Sequence, residues 1–329
     1  MSVDVHNHVM PTEVLDLLRA EPGYGVTLDD ANNWSGAHHA TFPVTPSFYD
    51  PVAKLAYMDE RKVGAAVTSP PPPLFFYEVD TAAADRLCQA TNEGLARFCR
   101  HDPERLHWLA NLPMQDPEAA VTAYRAAVQD GALGAAIGTS IAGRRLDEPE
   151  FERFWATADE LGLPVLVHPA WNEPHAGLND FYMQNAIGNP LETTVMVERL
   201  ICAGVLARHR GVRLVLLHGG GYVPYQAGRL AHACTVRPEI SISAGDVWDA
   251  FDQLYFDTIT HDAAALRYLV ERVGVDRVVL GTDMPFDMSE DRPMEALAEA
   301  LEDEQVIAVG TTNPARLFGI DGRSAPAVV

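Results

Sequence analysis

Positive charge is scarce in this chain: 24 lysines and arginines stand against 46 aspartates and glutamates, a formal net charge of −22. That field repels nucleic acid and anionic lipid, so both are excluded as partners, and an anionic ligand needs locally placed cations. Long apolar runs are missing too. No stretch approaches the roughly 20 residues of a membrane helix. MSVDVHNH has no basic segment leading into an apolar one, so no secretory signal is expected. The four cysteines (Cys88, Cys99, Cys202 and Cys234) show no CxxC spacing, which argues against a disulfide framework or a thiolate zinc site and for buried cytoplasmic thiols. Proline (23) and glycine (24) are dispersed, so no low-complexity linker divides the chain.

What is present is an alternation. Short apolar runs at 3–6, 65–69, 106–111, 133–138, 165–168, 212–218, 254–257 and 278–281 are separated by amphipathic stretches at 80–100, 117–130, 149–161, 191–207, 222–233 and 262–273. LGLPVLVHP and RGVRLVLLHGG are almost continuously apolar, as strands of a parallel sheet covered on both faces are. Eight strands alternating with helices in 329 residues predict a single α/β domain, a (β/α)8 TIM barrel. Residues 21–48 break the alternation and read as an inserted loop or small ribbon after the first strand.

The histidines fall on this map selectively. In VDVHNH, residues i and i+2 share a strand face, so Asp4, His6 and His8 point one way and Val3 and Val5 the other. Two imidazoles side by side are a metal half-site or a pair of ordinary hydrogen-bonded histidines. His168 ends the fifth strand in PVLVHP, His218 ends the sixth in LVLLHGGG, and Asp283 follows the eighth in GTDMPF. Alone, each has an ordinary structural reading: a rim histidine, a histidine that orients a ligand, an Asx turn before Pro285. Together they lie at the C-terminal ends of strands, which in a barrel converge on one mouth. Three imidazoles and a carboxylate suit Zn2+, with Mn2+ or Fe2+ also accommodated. The three glycines after His218 let the backbone bend and a substrate approach closely, and its near-neutral pKa suits an acid–base role.

HxH after strand one, HP after strand five, HGGG after strand six and GTDMPF after strand eight resemble the amidohydrolase superfamily. They are most similar to the branch holding aminocarboxymuconate semialdehyde decarboxylase and the γ-resorcylate and 5-carboxyvanillate decarboxylases. The likeness runs from Val3 to about Ile320, closing in NPARLFGI. It implies His6, His8, His168 and Asp283 as metal ligands and His218 as catalytic base. It also implies a homodimer in which Arg229, eleven residues after His218, grips a substrate carboxylate in the neighbouring subunit's site. One departure stands out. Where the semialdehyde decarboxylase carries an arginine in its insertion, this chain has Phe42, so a second carboxylate clamp is missing. Phe42, Trp171, Phe286 and PPPPLFFY (residues 70–77) would then form an aromatic mouth for a cyclic substrate with one acidic group. The expectation is a metal-dependent, non-oxidative decarboxylase of an aromatic or unsaturated carboxylic acid, with His218 or Asp283 delivering the proton. The alternative is hydrolysis of an ester, lactone, amide or vinylogous C–C bond by metal-activated water. A metal-binding protein without turnover is disfavoured by the complete ligand set.

Overall fold

The structure is a computed structural model describing residues 1–29, 31–36, 41–170 and 176–320. Its strands are β1 (Val3–His8), β2 (Thr27–Leu28), β3 (Asn33–Ser35), β4 (Thr41–Pro43), β5 (Ala65–Ser69), β6 (Leu106–Trp108), β7 (Ala110–Asn111), β8 (Ala135–Gly138), β9 (Pro164–His168), β10 (Arg213–Leu216) and β11 (Leu254–Phe256). β1–β5–β6 and β7–β8–β9–β10–β11 are parallel sheets. Only Leu109 separates β6 from β7; its N–H donates to Thr68 O at 2.9 Å, while Leu133 N donates to Trp108 O at 2.9 Å. The two sheets are therefore one surface.

Residues 278–284 close that surface. Val279 N donates to Phe256 O at 2.9 Å on one side; on the other, Val5 N donates to Leu280 O at 2.9 Å and His8 N to Met284 O at 2.8 Å. The eighth stave thus joins β11 to β1, and the expected barrel is complete. Helices lie between successive staves, many opened by an aspartate whose side chain accepts from the first turn: Asp80 from Ala83 N, Asp116 from Ala119 N, Asp262 from Ala265 N. The stretch expected as one helix over 191–207 is two, Asn189–Cys202 and Val205–Arg208. The break is at Gly204, whose φ of +68° suits a residue without Cβ.

The core follows from the apolar staves. Val165, Leu166, Val167, Leu214, Val215 and Leu216 are fully buried, each contributing about 1.5–3 kcal/mol. A second, smaller core surrounds Trp34, with Met10, Leu15, Phe48 and Phe76. It is capped by the antiparallel ribbon β2–β3–β4, the observed form of the irregular stretch after the first strand. PPPPLFFY does not line a mouth as expected. Phe75 and Tyr77 belong to the main core and Leu74 and Phe76 to the smaller one, because the turn after β5 folds these side chains inward. Among the described residues no helix is long and apolar enough to cross a membrane.

Candidate metal centre

β1 carries a bulge between Asp4 and Asn7: three steps along it match two along β5. Bulges bend a strand and re-aim its side chains; here His6 and His8 converge at one end of the barrel. Room for them comes from Gly281 in the eighth stave. A Cβ at that position would lie 2.8 Å from His6 Cβ and 2.9 Å from Asp257 Cβ, so only glycine lets the staves approach this closely.

The structure brings His6, His8, His168 and Asp283 together, one donor atom from each lying within 4.8 Å of every other. Asp283 Oδ1 is 3.2 Å from both His6 Nε2 and His8 Nε2. Donors bonded to one cation at about 2.0–2.2 Å sit roughly 3–4.4 Å apart, and both Asp283–histidine separations fall in that range. His6 Nε2 is buried with no hydrogen-bond partner, as a lone pair reserved for a metal would be. The donor set therefore fits a divalent cation.

Each imidazole is oriented through its other nitrogen. His6 Nδ1 donates to Asp257 Oδ2 at 2.6 Å, and His168 Nδ1 donates to Pro169 O at 2.6 Å. His8 Nδ1 lies 3.2 Å from Ser69 Oγ; that hydroxyl donates to Asn7 O and so accepts from the ring. All three rings thus turn Nε2 inward. Asp257 also accepts from Gly219 N at 2.6 Å and Ile259 N at 3.1 Å, linking His6 to the turn after His218. Beneath β1, the fully buried Lys54 donates to His8 O at 3.2 Å. Burial pulls its ammonium down to about 8 and pushes the neighbouring Asp4 carboxyl up to about 6.

The electrostatics are those of a cation site. Burial opposes charge on His6, but the carboxylates of Asp283 and Asp257 outweigh it and push the imidazole up to about 10. Burial pulls His8 down to about 4 against the attraction of Asp283. Burial and the other imidazoles hold His168 well below the usual histidine range. Burial would raise Asp283, yet His6 and His8 hold it well below the usual carboxylate range. Two carboxylates and one protonated imidazole leave an excess of negative charge that a divalent cation, replacing the proton, would neutralise.

His218 stands beside the four, its ring centroid 5.2 Å from His6 and 5.1 Å from His168. Its backbone is in the left-handed region (φ +56°), as is that of Asp283 (φ +62°); such strain concentrates where surroundings dictate a functional pose. Burial and the charge on His6 lower the His218 pKa, keeping the ring neutral at pH 7. His218 and Asp283 also line a cavity of about 330 Å³ with Tyr222, Tyr225, Tyr268 and His261. That is the small end of ligand cavities, roughly 300–1,000 Å³.

Of the residues expected at the substrate, two lie outside this cavity. Phe42 and Phe286 pack on the smaller core, 5.2 Å apart by ring centroid, and Phe286 presents itself to His8 at 5.3 Å. Neither lines the cavity. Trp171 lies outside the described residues. Arg229 is exposed on the helix Val223–Val236, with no hydrogen bond or ion pair among the described residues. Sequence reasoning missed Asp257, Lys54, Ser69 and His261. Asp257 ends a strand as His168 does, so the same strand-end rule could have found it.

The model of the amidohydrolase family matches residues 3–320. The 2-amino-3-carboxymuconate-6-semialdehyde decarboxylase of Dictyostelium discoideum is 26% identical, covering 98% of this chain and 92% of its own length. The γ-resorcylate decarboxylase of Rhizobium radiobacter is also 26% identical, over 82% of this chain and 87% of its own. Among solved structures, the 5-carboxyvanillate decarboxylase of Sphingomonas paucimobilis superposes with a TM-score of 0.80 at 23% identity, covering 97% of this chain and 98% of that one.

Proposed function

The chain belongs to the amidohydrolase family, and from that premise we propose that it is a metal-dependent, non-oxidative decarboxylase of an aromatic carboxylic acid. The observation that carries the reading is the junction of the four-donor centre with a tyrosine-walled cavity through His218 and Asp283. The decarboxylases similar to this chain support it. His6, His8, His168 and Asp283 would hold the cation, zinc by the preference of three imidazoles and one carboxylate, with manganese or iron accepted by the same donors. When bound, it supplies positive charge that holds substrate oxygens and offsets the negative charge developing as CO2 departs.

The chain's own residues do the rest. Asp257 keeps His6 in the tautomer that presents Nε2. His218, neutral and partnerless at Nδ1, takes the proton of a substrate hydroxyl and returns it to the ring carbon bearing the carboxylate. The C–C bond electrons then restore the ring, leaving CO2 and the phenolate. Asp283 is ionised at rest beside His6 and His8 and serves the proton transfer as a relay, taking up the proton and releasing it in transit. The aromatic rings of Tyr222, Tyr225 and Tyr268 suit a planar substrate.

No arginine or lysine lines the cavity among the described residues. We assign Arg229, exposed and unpaired, to the cavity of a second subunit in a homodimer, where its planar fork would bind carboxylate. The free thiols of Cys88 and Cys99 suit a cytoplasmic setting. The testing experiment is a panel of hydroxybenzoates and muconate-like acids assayed beside aryl esters and lactones, following CO2 and acid release. CO2 from a hydroxylated aromatic acid is expected. Ester or lactone cleavage with no CO2 from any acid would overturn the proposal in favour of hydrolysis.

A further inference from the structure

Among the described residues two histidines line the cavity wall, His218 and His261. His218 faces the metal centre; His261 stands exposed at the rim, four residues beyond Asp257. Three features mark it as built for a ligand. Its backbone is held in the left-handed region at φ +53°, uncommon for a residue with a Cβ. The turn is pinned on both sides: Thr260 Oγ1 donates to Asp262 O at 3.1 Å, and Asp262 caps the helix Ala263–Val273 by accepting from Ala265 N at 2.7 Å. The imidazole itself has no hydrogen-bond partner among the described residues. A strained, anchored turn thus carries a free ring at the edge of the cavity. Asn185 lines the same cavity and offers an amide. Beside the Thr260 hydroxyl, the residues around them are apolar or phenolic: Pro190, Pro224, Tyr225, Ala265, Tyr268 and Leu269.

We propose that His261 is a specificity-determining residue. It binds an acidic or hydrogen-bond-accepting substituent on the far side of the ring from the carboxylate that is lost. The substrate class is then an aromatic acid with two polar poles. One pole sits at the metal centre and the other, a second carboxylate or hydroxyl, at the rim. The reasoning is electrostatic. In a chain of net charge −22, a second anionic group entering this cavity meets no lysine or arginine among the described residues of its own subunit. Among the described residues of this cavity, the His261 ring and the Asn185 amide are the nitrogen donors left to receive it, and His261 is the one exposed at the rim. The inference rests on the decarboxylase reading but is tested without turnover.

The experiment is calorimetric binding of isophthalate and of benzoate to the zinc-loaded protein, for wild type and His261→Gly. Glycine suits the positive φ, and His261→Asn, too short to reach the ligand yet tolerant of that φ, serves as the second variant. Wild type should bind isophthalate the more tightly, and His261→Gly should weaken isophthalate about 3–10-fold, as for a partly exposed hydrogen bond to charge. Benzoate binding, metal content and melting temperature should stay unchanged. Equal loss for both ligands, or no loss in either variant, would overturn the proposal. CO2 release can stand or fall apart from this result, so the two readings fail separately.

Discussion

Replacing Asp257 with asparagine removes one charge and almost no volume, so its effect isolates what that carboxylate does for the metal centre. Asp257 accepts the His6 Nδ1 proton at 2.6 Å, a charge-assisted bond in a fully buried setting. Such a bond contributes about 1.5–3 kcal/mol. It would be lost in part, since the asparagine oxygen is a neutral acceptor that Gly219 N and Ile259 N also claim. At about 1.4 kcal/mol per decade, losing most of it lowers metal affinity about 10–100-fold, the range expected when a partner orienting a ligand is removed. The assay is chelator-buffered titration of metal-free protein with zinc and with manganese, paired with a melting curve of the metal-free form. Asp257→Asn should bind each metal about 10–100-fold more weakly while the fold persists. Affinity within twofold of wild type would refute the role given to Asp257, and with it the linkage from β11 to His6.

Three further outcomes are expected. His218→Asn should lower turnover by about 10²–10⁴-fold with metal content unchanged; loss of metal would make His218 a ligand. Mixing Arg229→Ala with His218→Asn subunits should restore activity that neither variant has alone, and the absence of rescue would place Arg229 outside a neighbouring site. Metal uptake should release a proton. With its pKa raised to about 10, His6 is protonated at neutral pH in the metal-free protein, so affinity should rise with pH, about tenfold per unit between pH 6 and 8. Titration calorimetry in two buffers of different ionisation enthalpy reads the number of protons, and a pH-independent affinity would contradict the charge balance drawn for the site.

The strand-end residues were the legible part of this chain. PVLVHP, LVLLHGGG and GTDMPF each join an apolar run to a polar side chain at its C-terminal end, and barrel geometry alone sends such residues to one mouth. The four-donor cluster is the consequence. What stayed hidden depends on contacts across the barrel. Asp257 gains its meaning only when the eighth stave brings β11 beside β1, 251 residues away in sequence. Lys54, in PVAKLAYMDE, reads as an ordinary surface lysine of a helix, yet it is fully buried beneath His8. The aromatic residues misled in the other direction. Phe75 and Tyr77 look like a ligand surface in sequence, but a 3-10 turn at Pro72–Leu74 folds them into the core. The tyrosines that do line the cavity come from the helix after HGGG and from the helix after β11, where periodicity marks a helix but not which side of it meets a void.

The central claim is that one divalent cation sits among His6, His8, His168 and Asp283. Anomalous diffraction at the metal edge, on crystals of protein purified without chelator and assayed by elemental analysis, tests it most directly. The account requires about one equivalent of metal per chain, with a single anomalous peak within bonding distance of those four side chains. Metal-free protein with full activity, or a peak elsewhere in the barrel, would contradict it.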